Sequence, residues 1–185
     1  MKVLAIYIGQ LALGMLFVWQ TAYAGDITIE DASLVNTDGS LVVISTSQFL
    51  FSDAAIEALE SGVGLYIEFD LNINRSRRFF WDKRIFRLTK RLKIERHALT
   101  ERYIVTDQVD QQRRLYDSIE SAVAGLNEMS DIPVASLSEL QQSNYTMALR
   151  ARLDIESLPA PLRPIAYISP AWRMSSGWFE WKSPR

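Results

Sequence analysis

The sequence has 185 residues, a formal net charge of −2 and no cysteine. The lack of cysteine excludes disulfides, thiolate nucleophiles and cysteine-ligated zinc, and the single histidine, His97, excludes a histidine-rich metal site. We therefore expect neither a metal nor another cofactor. The length suits one domain with a hydrophobic core of useful size.

The first 24 residues have the three parts of a secretory signal peptide. Lys2 precedes an uncharged apolar stretch over residues 3–19, and Ala22 and Ala24 supply the small side chains that signal peptidase requires before a cut at Gly25. An uncleaved membrane anchor is the alternative, since a bilayer span needs about 20 residues. We expect cleavage, a periplasmic or otherwise exported location, and a single β-rich domain over residues 25–185.

Alternation of apolar and polar residues with a period of two predicts an antiparallel β domain. The clearest strands are predicted over residues 65–74, 84–96 and 145–156, and weaker ones over residues 27–35, 41–51, 103–107 and 112–116. Asp38-Gly39 predicts a tight turn between the first two strands. A second turn at residues 81–83 would pair Ile73 with Leu92, Leu71 with Ile94 and Glu68 with His97.

Short helices are predicted between the strands. Ser52 is a candidate cap for a helix over residues 53–60, and Ser118 for one over residues 119–129 with a single apolar stripe. Ser136 and Glu139 resemble a capping box for a third turn, and four prolines over residues 159–170 exclude a long regular element there. The expected fold is mainly β (α+β): an antiparallel β-sandwich or curled sheet of six to seven strands with two to three short helices.

The second hairpin carries an unusual concentration of positive charge. Residues 75–96 contain ten basic and two acidic residues, a net charge of +8. Basic side chains between aromatic rings suit single-stranded nucleic acid, but export makes an anionic membrane surface or an acidic protein the expected partner instead. The structural alternative is a solvated edge whose charges prevent sheet-to-sheet aggregation. The candidate binding residues are Arg75, Arg77, Arg78, Phe79, Phe80, Trp81, Lys83, Arg84 and Arg87.

Three tryptophans near the end of the chain form a second candidate contact. Trp172, Trp178 and Trp181 either close one end of the core or expose an aromatic surface to a partner. Alternation places Trp178 with Glu180 on one side of the segment, and Phe179 with Trp181 on the other.

No motif in the sequence indicates catalysis, and a non-enzymatic protein is favoured. Glu68 and Asp70 point to the same side of one strand, so they are either an acid/base pair or partners of the basic strand. Asp107 and Asp110 lack the spacing of a calcium loop. There is no nucleophile elbow and no phosphate-binding loop.

The proline- and tryptophan-rich end of the chain resembles the bacterial domain-of-unknown-function family 4390. The resemblance rests on residues 158–164, Tyr167, Trp172, residues 176–178 and Trp181, and it extends over the whole mature chain. It implies an exported protein of this size, such as those labelled "proline-rich signal peptide protein", and brings no known activity or site. Such proteins are associated with neighbouring genes for a membrane sensor kinase, which implies an envelope protein as a partner.

The sequence therefore predicts a binding or accessory module of the cell envelope, which contacts a membrane or a protein through the basic hairpin and binds no nucleic acid. A carrier of lipid or another small ligand is one alternative, if the sheet encloses an apolar pocket. An envelope hydrolase is another, if burial strongly raises the pKa of Glu68 or Asp70.

Overall fold

The computed structural model describes residues 24–37, 40–75, 83–134 and 145–182. The nine strands in these ranges are β1 (Asp26–Thr37), β2 (Ser40–Leu50), β3 (Leu65–Arg75), β4 (Lys83–Arg96), β5 (Tyr103–Asp107), β6 (Arg113–Tyr116), β7 (Ile132–Val134), β8 (Tyr145–Leu153) and β9 (Phe179–Lys182). The α-helices are α1 (Asp53–Glu60), α2 (Ile119–Glu128) and α3 (Arg163–Ile168). Two 3-10 turns, Ile155–Ser157 and Pro170–Trp172, flank α3.

The strands form two antiparallel sheets that share one core. One sheet has the order β1-β2-β7 and the other the order β6-β5-β4-β3-β8-β9. Phe49 of β2 meets Phe69 of β3 edge to face between them, with ring centroids 6.1 Å apart. The prediction of a mainly β antiparallel fold is confirmed. The two additional strands, β7 and β9, were not predicted as strands and have only three and four residues.

Strand β3 forms the centre of the core because its inward side chains are all apolar. Burial of each such side chain contributes roughly 1.5–3 kcal/mol to folding. The five that are fully buried are Leu65, Ile67, Phe69, Leu71 and Ile73.

The β3–β4 hairpin has a different register from the predicted one. Ile73 pairs with Phe86 and Leu71 with Leu88, so each β4 partner lies six residues earlier than expected. A shift by an even number of residues keeps the same side chains on the same face, so alternation alone does not distinguish the two registers. The predicted partner of Glu68 was therefore wrong as well: Glu68 pairs with Arg91.

Helix α2 joins the two sheets. The Ser118 hydroxyl accepts a hydrogen bond from the Ser121 backbone N–H, and the Ser121 side chain completes the capping box. At the other end of α2, the Asn127 side chain bonds both backbone groups of Ser47 in β2. The predicted helices at residues 53–60 and 119–129 are confirmed, and the predicted turn at Ser136 lies outside the described residues.

Candidate functional site

The structure describes only part of the basic hairpin. Residues 76–82, and with them the candidates Arg77, Arg78, Phe79, Phe80 and Trp81, lie outside the described residues, as do the side chains of Lys83 and Arg84. Arg75 donates a hydrogen bond to the Tyr145 hydroxyl at 3.0 Å and lies against the Tyr145 ring. Arg87 is exposed on the outer face of the six-stranded sheet.

The basic residues of β4 fall into two groups. Those in its second half each have a carboxylate partner, whereas Arg87 makes no ion pair within the part of the chain that the structure describes. Among the described side chains of β4, the cation without an ion pair, Arg87, therefore lies nearer the start of the strand than the paired cations do. The partnered residues are Lys90 with Asp107, Arg91 with Glu68 and Asp154, Lys93 with Glu95, and Arg96 with Glu101.

Lys90 points into the core rather than towards solvent. It lies between Leu88 and Leu92 on the inward face of β4 and is 8% exposed. Its ammonium group lies 3.0 Å from Asp107 Oδ2 and donates to the Asp131 carbonyl at 2.7 Å. The alternation of β4 predicts that residue 90 points inward. The sequence alone does not predict that Asp107 is the acid that neutralises Lys90.

Asp70 is fully buried even though it belongs to the outer face of β3. Its carboxylate accepts hydrogen bonds from the Thr89 hydroxyl at 2.7 Å, from Arg150 at 2.7 Å and from Arg152 at 3.2 Å. Burial alone would raise the pKa of Asp70, but these hydrogen bonds outweigh burial and hold the pKa below its ordinary value. An envelope hydrolase that used Asp70 as its acid/base would require a raised pKa instead.

Glu68 is shared between two arginines on neighbouring strands. Arg91 Nε of β4 lies 3.5 Å from one carboxylate oxygen, and Arg152 of β8 contacts the other. Arg91 also contacts Asp154, whose pKa is lowered because hydrogen bonds from Ser157 and the charge of Arg91 outweigh the effect of burial. The predicted neutralisation of Glu68 by the basic strand agrees with this geometry. Sequence reasoning missed the arginines of β8, because nothing local indicates that β8 pairs with β3.

The three tryptophans lie in different environments. Trp172 is 5% exposed and closes the core, and Trp181 is half-buried beside Phe179 on the inward side of β9. Trp178 is 42% exposed, and its ring lies against the Arg150 guanidinium, 4.6 Å from centroid to carbon. The predicted division of this segment into two sides agrees with the geometry, and Trp178 alone of the three presents a large exposed ring.

No group of three or more histidine, aspartate or glutamate side chains in the described ranges is arranged to hold a metal. Within the same ranges, no helix has the length and apolar character needed to cross a membrane.

Comparison with known proteins gives a family but no activity. Searches of curated proteins and of solved structures each found no match. A family model described as "Domain of unknown function (DUF4390)" matches residues 24–182, which is most of the chain. The chain therefore belongs to the DUF4390 family.

Proposed function

We propose that this chain is an exported, non-enzymatic binding module of the cell envelope that contacts a membrane surface or an envelope protein through the β3–β4 hairpin. The observation that carries the proposal is the division of charge along β4. Lys90, Arg91, Lys93 and Arg96 are neutralised by carboxylates of the fold, whereas the exposed Arg87 has none among the described residues. Charge that the fold does not use is available to a partner.

The start of the domain supports the export part of the proposal. A side chain at Gly25 would lie 2.7 Å from the Ser52 backbone nitrogen and 2.8 Å from the Leu50 carbonyl oxygen, so the backbone is packed against its neighbours at that residue. A mature chain that begins at Gly25, after Ala24, would keep this packed residue, which supports the proposed cut. The protein partner implied by the family resemblance is a membrane sensor kinase.

Charge reversal at the hairpin tests the proposal. The variant Arg84→Glu/Arg87→Glu should abolish both chemical crosslinking to envelope proteins in intact cells and sedimentation with anionic phospholipid vesicles, whichever of the two the wild-type protein shows. The reason is that two basic residues of the hairpin become acidic and repel an anionic partner.

The matched control changes the net charge by the same amount at exposed residues away from the hairpin. The control variant is Arg102→Glu/Arg113→Glu. Arg102 lies in the β4–β5 turn, where its ion pair with Asp117 is at the surface, and Arg113 is an exposed residue of β6. This control should bind as the wild type does. Equal binding by all three proteins would show that the hairpin is not the contact surface.

A further inference from the structure

Strand β4 has two neighbours, β3 along one edge and β5 along the other, and it is much longer than the part that pairs with β5. β3 pairs with β4 from Lys83 to Ile94, whereas β5 pairs with the opposite side of β4 only from Leu92 to Arg96. Within the described ranges, no strand pairs with that side of β4 between Lys83 and Lys90. Among the described residues, this part of β4 is therefore an open edge of the sheet.

The backbone of this edge has hydrogen-bonding groups directed outward. The Arg91 carbonyl accepts a hydrogen bond from the Gln108 N–H at 2.9 Å, so the polar backbone groups of Arg91 point to the β5 side. Backbone groups point alternately to the two sides of a strand. Those of Thr89 and Arg87 therefore point to the same side as Arg91, where β5 no longer pairs with β4, while those of Leu88 and Lys90 point to β3.

The side chains along the edge select the charge of an added strand. Lys83, Arg84 and Arg87 are basic, and residues 83–94 contain no acidic residue. A second copy of this edge would be repelled, because like charges on adjacent strands are destabilising. A strand with acidic side chains would be attracted by the same residues.

We propose that the open edge of β4 between Lys83 and Lys90 binds an extended acidic segment of a partner protein as an additional β-strand. The inference rests on the proposed binding function and gives its partner a chemical class: backbone hydrogen bonds to Arg87 and Thr89 hold the segment, and the exposed cation of Arg87 attracts its carboxylates. Addition of a strand to an exposed sheet edge is an established mode of peptide recognition.

The test uses NMR-detected amide exchange on the mature domain. In the free protein the Arg87 and Thr89 amides should exchange quickly, while those of Leu88 and Lys90 are protected by β3. A short synthetic peptide in which glutamate alternates with valine should bind and protect the Arg87 and Thr89 amides. Slow exchange of these two amides in the free protein would overturn the proposal, because the chain itself would then cover the edge.

Two controls separate backbone pairing from simple charge attraction. The same peptide with alternate amides N-methylated keeps its charge but loses backbone hydrogen bonds, so its binding should weaken on the order of tenfold or more. The Arg87→Glu variant should bind the unmodified peptide about tenfold more weakly. Equal binding of the two peptides would overturn strand addition while leaving a charged contact at the hairpin in place.

The remaining outcomes distinguish the inference from the function on which it rests. Binding to anionic phospholipid vesicles, lost in Arg87→Glu, without any binding of the peptide would overturn strand addition and retain the proposed function with a membrane as partner. Binding of neither the peptide nor the vesicles, together with no crosslink to an envelope protein in intact cells, would overturn both.

Discussion

The ion pair between Lys90 and Asp107 provides the sharpest prediction at the scale of single residues. Lys90→Met keeps an apolar side chain of similar length but leaves the Asp107 carboxylate, which is 4% exposed, without its cation. Removing one partner of a buried pair costs about 3–5 kcal/mol. We expect urea denaturation to show a free energy of unfolding lower by about 3 kcal/mol.

Arg87→Met is the matched control for this substitution, because it removes a cation from the exposed face of the same strand. Its effect on the free energy of unfolding should stay within about 0.5 kcal/mol. If Lys90→Met costs no more than Arg87→Met, the pair with Asp107 does not stabilise the fold.

The pKa of Asp70 leads to a prediction about acid stability. Because the folded-state pKa is below the ordinary value of 3.8, the hydrogen bonds to Asp70 stabilise the fold fully above that value. This stabilisation is lost as the pH falls below 3.8 and through the lowered folded-state pKa. Asp70→Asn should therefore reduce the free energy of unfolding at pH 7, by about 2 kcal/mol, and should make it less sensitive to acid.

Urea denaturation near neutral pH and in the acidic range measures this difference. Glu57→Gln removes a carboxylate from an exposed position in α1 and serves as the control. A loss of stability on acidification that is equally large in wild type and Asp70→Asn would contradict the role given to the Asp70 carboxylate.

At the scale of elements, the packing of α2 on β6 depends on a glycine. A Cβ at Gly125 would fall 2.7 Å from Tyr116 Cε2 and even closer to Tyr116 Cζ and the Tyr116 hydroxyl oxygen. Gly125→Ala should therefore lower the free energy of unfolding by about 1–3 kcal/mol, although alanine favours a helix interior over glycine by about 1 kcal/mol. Thermal and urea denaturation measure the change.

A second substitution tests whether the tyrosine ring is the cause. In a Tyr116→Ala background, Gly125→Ala should become neutral or stabilising, since only the helix propensity then remains. The same destabilisation in both backgrounds would place the cost of the alanine somewhere other than Tyr116.

The elements also show which parts of the fold the sequence predicts. Strands with long alternating patterns, such as β3 and β8, were predicted because one face is apolar throughout. Helix α1 was predicted from its cap Ser52. The register of β3 against β4 was predicted wrongly, because shifts by two, four or six residues bury the same side chains.

The candidate site was predictable only in part, for a similar reason. The sequence predicted that the strand carrying Glu68 pairs with the basic strand β4, and the ion pair of Glu68 with Arg91 agrees with this prediction. The contacts of Asp70 with Arg150 and Arg152 depend on β8 lying beside β3, although about 80 residues separate them in sequence. Alternation within each strand contains no information about which distant strand becomes its neighbour.

At the scale of the whole molecule, the domain concentrates opposite charges in different places. If the first 24 residues are cleaved as we propose, one cation, Lys2, is lost and the net charge becomes −3. Because residues 75–96 have a net charge of +8, the rest of the mature chain is strongly acidic. The acidic remainder repels anionic surfaces whereas the basic hairpin attracts them, so the proposed contact should be made through the hairpin and should weaken as salt screens the charges.

The processing of the N-terminus yields the last prediction. Because signal peptidase requires small side chains at positions −3 and −1, Ala24→Leu should block cleavage, and the intact mass measured from cells should include the first 24 residues. Tyr23→Leu, at the tolerant position between Ala22 and Ala24, should be cleaved normally and start at Gly25, as the wild type should. A wild-type protein that starts at Met1 would contradict cleavage and identify the apolar segment as an anchor. In that case the hairpin is held beside a membrane, and its partner has to be sought at the bilayer surface.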